Sequence, residues 1–277
     1  MPWLLSPQDL VSPSERQCER SAFSFYRAVR ERQPVWRLED TRSMHVFSWE
    51  DGRARAFLPS EALLYALVHD HRDYARHLLD RFTLSALRAP RCSFCCRRCS
   101  GTPHLSVAVR CDRASILSAM LETLKRCGTQ AERRELLDGS SSCDHVTDAG
   151  KSAVTLAVEL SRAECLLLLL VHGARPRGLD VALQVLVSCD ATRGDAQRSD
   201  AQRCLDLLLL FRPDAAPPRC LQEEPQRWQS LLGNEVFGWL RGLAPPPLLL
   251  QALRCLARFG PDQISTLPPL LQPHSWR

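Results

Sequence analysis

Residues Gly150 to Pro176 read GKSAVTLAVELSRAECLLLLLVHGARP. A short apolar stretch surrounds Ala157, a polar break falls at Arg162, and a leucine run through Leu168, Leu169 and Leu170 ends at His172-Gly173-Ala174. Two upstream segments repeat this order. Ser60 to Phe82 reads SEALLYALVHDHRDYARHLLDRF, and Thr102 to Leu124 reads TPHLSVAVRCDRASILSAMLETL. With Ala66, Ala108 and Ala157 aligned, the polar breaks fall at His71, Arg113 and Arg162, and the second apolar stretches end at Leu79, Leu121 and Leu170.

The pattern predicts two short antiparallel helices per unit. The alanines mark where the helices come close and little side-chain volume fits. The leucines of the second helix supply the core between units, and one pair cannot bury its apolar face alone, so pairs must stack. Gly173 is placed to stop the second helix in the left-handed conformation that glycine tolerates.

These residues resemble the ankyrin repeat, with its Thr-Pro-Leu-His start, alanine-containing first helix and second helix ending in leucines and Gly-Ala. The third unit carries Gly150, Ala157, Glu164, Leu168, Leu169, Leu170, Gly173 and Ala174 in place; the second keeps Pro103, Leu105 and Ala108; the first keeps Ala66, Leu78 and Leu79 without the Thr-Pro start. Ala108 lies 42 residues after Ala66, and Ala157 lies 49 after Ala108, against about 33 in a standard unit. Insertions are therefore expected between units, at Leu84 to Gly101 and Thr129 to Ala149. A fourth unit is expected with helices over Leu179 to Ser188 and Gln202 to Phe211, joined by a polar loop from Asp190 to Asp200.

The expected fold is all-α: an ankyrin-repeat solenoid over 60–212, a capping region over 1–59 and a C-terminal helical module over 213–277. In the cap, Ser21 can start a helix containing Phe25 and Val29 that stops near Pro34. Trp36, Phe47 and Trp49 are expected to fold over the first repeat. Beyond the proline-rich stretch Pro213 to Pro225, the helical spacing of Trp228, Leu231, Leu232, Val236, Trp239 and Leu240 predicts one amphipathic helix closing the solenoid.

Composition agrees with a soluble globular class: 45% hydrophobic and 24% charged residues. The net charge of +5 is spread thinly, and Arg97–Arg98 and Arg133–Arg134 are isolated doublets. A nucleic-acid binder would gather them on one face, so no nucleic-acid partner is expected. No signal peptide is read near Trp3, and no apolar run is long enough to span a bilayer. No membrane association and a cytoplasmic location are expected. The 13 cysteines form an odd set in that setting, which argues against a disulfide framework; Cys165 and Cys204 are read as small buried apolar residues. Phosphate-binding loops, metalloprotease helices, nucleophile elbows and kinase signatures are all missing. The expectation is a protein that is not an enzyme and takes no cofactor.

One cysteine cluster needs weighing: Cys92, Cys95, Cys96 and Cys99, with His104 nearby. Strong zinc sites separate their two cysteine pairs by a dozen residues or more, whereas Cys95 and Cys96 are adjacent. Reduced thiols in a loop between repeats, without metal, are expected.

The tail reads PPPLLLQALRCLARFGPDQISTLPPLLQPHSW. Pro247, Leu248, Ala252 and Leu256 fall on one helical face with proline at the first turn. A second apolar patch, with Leu267, Pro268, Pro269 and Leu271, follows. This order resembles the SOCS-box family, whose helix binds elongin C and whose following Leu-Pro patch contacts a cullin. The family's usual small residue is cysteine, where this chain has Ala252. Its patch reads Leu-Pro-Pro-Leu-Leu, compatible with cullin-2 or cullin-5 patterns. The resemblance implies elongin B/C contact through Pro247, Leu248, Ala252 and Leu256, and cullin contact through Leu267, Pro268 and Leu271.

From Cys18 to the last Leu-Pro patch the chain resembles one family of ankyrin-repeat proteins, carried by SEALLYALVHDH, LLGNEVFGWLRGLAPP and LPPLLQP. That resemblance implies a substrate receptor of a cullin-RING ubiquitin ligase, holding a protein substrate on its repeats. Two alternatives stand beside it: an ankyrin scaffold or inhibitor with no ligase link, and a zinc-dependent or thiol enzyme, which would need a bound metal or a reactive low-pKa thiol.

Overall fold

The computed structural model describes residues 23–44, 56–90, 103–140, 150–192, 195–212, 220–259, 263–264 and 267. Among them all repeating secondary structure is helical, and the one β-bridge pairs Ser140 with Ser152. The chain divides into two compact units, Met1–Ser152 and Ala153–Arg277.

The first unit holds α1 (residues 23–30), α2 (Val35–Ser43), α3 (Pro59–Val68), α4 (Arg72–Phe82), α5 (His104–Arg110), α6 (Ala114–Cys127) and α7 (Gln130–Asp138). The first helices α3 and α5 pack together, as do the second helices α4 and α6. Between α4 and α6 lie Tyr74, Leu78, Leu79, Leu117, Met120 and Leu121, each almost wholly buried. Fully burying one such side chain is worth roughly 1.5–3 kcal/mol, so this stack is the main support of the unit.

The turn inside each pair is the same object three times over. The His71 N–H donates to the Ala66 carbonyl at 2.9 Å, Arg113 to Ala108 at 2.8 Å, and Arg162, in the second unit, to Ala157 at 2.8 Å. The residues just before them, Asp70, Asp112 and Ser161, have φ of 51°, 55° and 54°. Their N–H groups bond the carbonyls of Leu67, Val109 and Val158. This pair of bonds around one left-handed residue is a Schellman helix ending, and the alignment on the three alanines placed it correctly.

A fourth copy stands in the region read as a cap. Gln33 N–H bonds the Ala28 carbonyl at 3.0 Å, Arg32 N–H bonds Val29, and Arg32 has φ 53°. The helix pair α1–α2 thus ends its first helix as the repeats do. Next-unit side chains then reach back. His71 Nε2 sits 3.3 Å from the Gln33 carbonyl. The Arg113 guanidinium donates to the Leu67 and Val68 carbonyls at 3.2 and 3.3 Å, a favourable position for a cation at a helix C terminus.

Helix α2 carries little apolar surface and is held by polar contacts. The buried Glu39 carboxylate accepts from Arg42 at 2.7 and 2.9 Å and from the Tyr74 hydroxyl at 3.0 Å. Burial alone would raise the Glu39 carboxyl, but the Arg42 guanidinium and Tyr74 hydroxyl overcome it and hold it below its ordinary value. Trp36 does not cover the first repeat. It is 67% exposed, because α2 turns Leu38 inward and Trp36 lies about half a turn from it. Ser21, Phe47 and Trp49 lie outside the described residues. Phe25 does the covering instead, stacked on Phe57 at 4.7 Å and edge-on to Tyr65 at 5.5 Å.

Parts of both insertions form helices. Thr83–Leu87 forms a 3-10 helix that buries Ala86 and Leu87. Helix α7 has a capping box: Thr129 Oγ1 accepts from the Glu132 N–H, and the Glu132 carboxylate accepts from the Thr129 N–H. Residues 91–102 and 141–149 lie outside the described residues.

The second unit holds α8 (Ala153–Glu159), α9 (Ala163–Val171), α10 (Leu179–Thr192), α11 (Asp195–Phe211), α12 (Cys220–Glu223), α13 (Pro225–Leu232), α14 (Asn234–Leu240) and α15 (Leu248–Phe259). First helices α8 and α10 pack together, and second helices α9, α11 and α15 pack in succession. Gly173, at φ 94°, ends α9 with the Schellman bonds expected of it. Cys165 and Cys204 are buried as read, and burial pushes the Cys204 thiol up to about 12.

Two expectations fail here. The stretch from Asp190 to Asp200 is not a polar loop: α10 runs to Thr192 and α11 begins at Asp195. Its alanine, glutamine and arginine are strong helix formers, and α11 extends N-terminally from the buried Ala201 and Cys204. The stripe from Trp228 to Leu240 is not one helix. Gly233, at φ 81°, separates α13 from α14, though Trp228, Leu232, Val236, Trp239 and Leu240 are all buried as the stripe required.

Candidate partner-binding surface

Helix α15 begins immediately after three prolines, which suit a first turn that needs no N–H donors. Gln251 donates from its side chain to the Pro246 carbonyl at 2.7 Å and from its backbone to Pro247 at 3.0 Å, closing that turn. Leu250, Leu253 and Ala257 are buried, and α15 packs on α11. Arg254 fixes the joint: Nε donates to the Leu209 carbonyl at 3.1 Å, and the guanidinium lies 5.6 Å from the Trp239 ring centre.

The opposite face of α15 is also apolar and faces solvent. Leu248 is 83% exposed, Ala252 is exposed, and Pro247 and Leu256 are half-buried. Cys255 and Phe259 complete the stripe, Phe259 being 84% exposed. Positions 248, 252, 255 and 259 share one narrow arc of an α-helix. The sequence reading missed Cys255 and Phe259 because it stopped at the SOCS-box spacing; extending the helical period by one more turn reaches both. Leu267 is half-buried, its N–H 3.5 Å from the carbonyl of the buried Ile264. Pro268, Pro269 and Leu271 lie outside the described residues.

His104, named beside the cysteine cluster, is committed elsewhere. It is 1% exposed, and its Nε2 lies 2.8 Å from the Ser60 carbonyl, tying α5 to the start of α3. The carbonyl can only accept, so Nε2 carries the proton. Burial lowers the imidazole to about 4, against the small upward pull of that bond. Cys92, Cys95, Cys96 and Cys99 lie outside the described residues. Among the described residues no group of three or more metal-ligating side chains gathers, and no helix is long and apolar enough to cross a membrane.

Stacked helix pairs with a repeated alanine turn and a leucine-rich second helix define the all-α ankyrin-repeat class, whose function class is protein–protein interaction. A curated mouse protein, "Ankyrin repeat domain-containing protein 9", is 40% identical over 299 aligned positions, spanning 94% of this chain and 90% of the mouse protein. The chain belongs to that family of ankyrin-repeat proteins. No family model matches the chain, and no solved structure matches it.

Proposed function

We propose that the chain is the substrate receptor of a cullin-RING ubiquitin ligase and does no bond chemistry of its own. Helix α15 is the adaptor element: Leu248, Ala252 and Leu256, preceded by Pro247, meet elongin C of the elongin B/C pair. Leu267, Pro268 and Leu271 meet cullin-2 or cullin-5. One observation carries this reading. An amphipathic helix should turn polar residues outward, yet α15 spends one apolar face on α11 and presents a second to solvent. Exposed apolar stripes of this kind mark interaction sites. The repeats hold the substrate, through their first helices and the inserted segments 84–101 and 129–149.

The scaffold reading draws on the other side of the same helix. Helix α15 stands beside α11 as another second helix would, so it also serves as cover. Affinity purification with mass spectrometry, comparing the full chain with one ending before Pro247, separates the two. A receptor loses elongins and cullin and keeps its substrate. A scaffold never captures elongins at all.

A further inference from the structure

Only two of the 36 basic residues, Lys125 and Lys151, are lysines; the rest are arginines. Lysine is ordinarily among the commonest residues of a soluble domain. At some sites the guanidinium is needed: Arg42 grips Glu39 with two nitrogens, Arg113 spans two carbonyls, and Arg254 combines a carbonyl with an indole. At others it is not. Arg27, Arg72 and Arg227 are exposed and each pairs with one neighbouring carboxylate, Glu31, Asp70 and Glu224. Such exposed pairs are worth little, and a lysine would serve nearly as well. The exclusion of lysine thus reaches positions where geometry does not ask for it.

What separates the two side chains there is reactivity. Lysine is a primary amine and the ordinary site of ubiquitin attachment, whereas the guanidinium stays protonated and delocalised. We propose that this chain is depleted of ubiquitin acceptors, so that lysine self-modification is confined to Lys125 and Lys151, with Lys125 the main site. This rests on the receptor reading above. A receptor tethered to a ligase stays beside the charged carrier through many substrate cycles, at high effective concentration. Every exposed primary amine then competes with the substrate. In the step itself, the neutral Nζ attacks the thioester carbonyl carbon of carrier-bound ubiquitin. An amide bond forms, the C–S bond breaks, the carrier thiolate leaves, and the surplus Nζ proton passes to solvent. Lys125 is exposed in the last turn of α6, whereas Lys151 is half-buried just before α8.

The test expresses the full chain in cells and follows conjugated ubiquitin, half-life and adaptor capture together. Lys125→Arg should cut conjugation at least about threefold, and Lys125→Arg with Lys151→Arg at least about tenfold. Conversely, Arg27→Lys with Arg72→Lys and Arg227→Lys keeps charge and fold but adds acceptors. Its half-life should shorten at least about twofold, with melting temperature and adaptor capture unchanged. If the double arginine variant is conjugated like wild type, or the added lysines leave half-life unaltered while elongins are captured normally, this inference falls and the receptor reading stands. Conjugation mainly at Lys151 overturns the assignment to Lys125. A wild-type chain that captures no elongin or cullin overturns both.

Discussion

Helices α11 and α15 are neighbours, and both are rich in leucine, yet they spend it differently. In α11, Leu205, Leu207, Leu208, Leu209 and Leu210 are all buried. In α15 only Leu250, Leu253 and Ala257 are, and Leu248 and Phe259 stand in solvent. Composition alone would group the two helices as core. The lesson is that apolar content reports burial somewhere, and only the packing says whether the fold itself supplies the cover. The outer stripe of α15 is apolar surface that the described part of the fold leaves uncovered.

The contrast can be broken by paired truncations in urea denaturation of the full chain. Leu205→Ala should destabilise by about 2–5 kcal/mol, as deep leucine truncations do. Leu248→Ala should stay within about 0.5 kcal/mol, as at an exposed position. Equal losses would mean that α15 is core on both faces.

The joint at His104 sharpens the same division, because it belongs to the fold alone. Its folded-state value of about 4 lies below the ordinary 6.5, so the unfolded chain binds the proton more readily. The contribution is complete above pH 6.5, declines as pH falls toward 4 and is flat below. Its full size is on the order of 3 kcal/mol. Denaturation midpoints between pH 7 and pH 4 should fall in wild type and fall less in His104→Gln. Elongin capture by the folded protein at pH 7 should be indifferent to the residue.

The helix endings give a smaller effect. Ser161 sits at φ 54° and Gly173 at φ 94°. Ser161→Gly should stabilise by up to about 1 kcal/mol, because glycine carries no Cβ penalty in that region. Gly173→Ala should destabilise by about 1 kcal/mol; a Cβ there meets nothing within 4 Å, so the loss is conformational. Thermal melts of the two variants moving in the same direction would contradict this. Smallest of all, replacing Cys92, Cys95, Cys96 and Cys99 with serine should leave the melting temperature nearly unchanged, with no zinc lost by elemental analysis.

Much of this was legible in the residues. Ala66, Ala108 and Ala157 located three turns, because a helix pair needs a small residue where its backbones approach, and the leucines beyond them located the stack. The pair α1–α2 was not recognised as a repeat-like unit. Its second helix, Val35–Ser43, buries a single leucine, Leu38, and is otherwise held by Glu39, Arg42 and Tyr74, so it lacks the leucine run that marks the other second helices. The polar run after Asp190 looked like a loop because polarity was weighed above helix propensity. The stripe from Trp228 to Leu240 has the right period, but a single left-handed glycine breaks it. The face Leu248–Ala252–Leu256 was readable as a helical period. Its exposure was not, since that depends on α11 having taken the opposite side.

The receptor reading turns on whether that outer stripe holds an adaptor. Truncating the chain at Pro247 also strips cover from α11, so a substitution on the exposed face alone is the sharper probe. Leu248→Ala with Ala252→Phe removes an anchor and adds bulk at the point of approach, without touching Leu250, Leu253 or Ala257. Elongin capture from cells should fall by more than ~2 kcal/mol of binding, as at interface hot spots, which is roughly thirtyfold. The melting temperature of the purified variant should be unchanged. A folded double variant that still co-purifies elongins at the wild-type level would contradict the account.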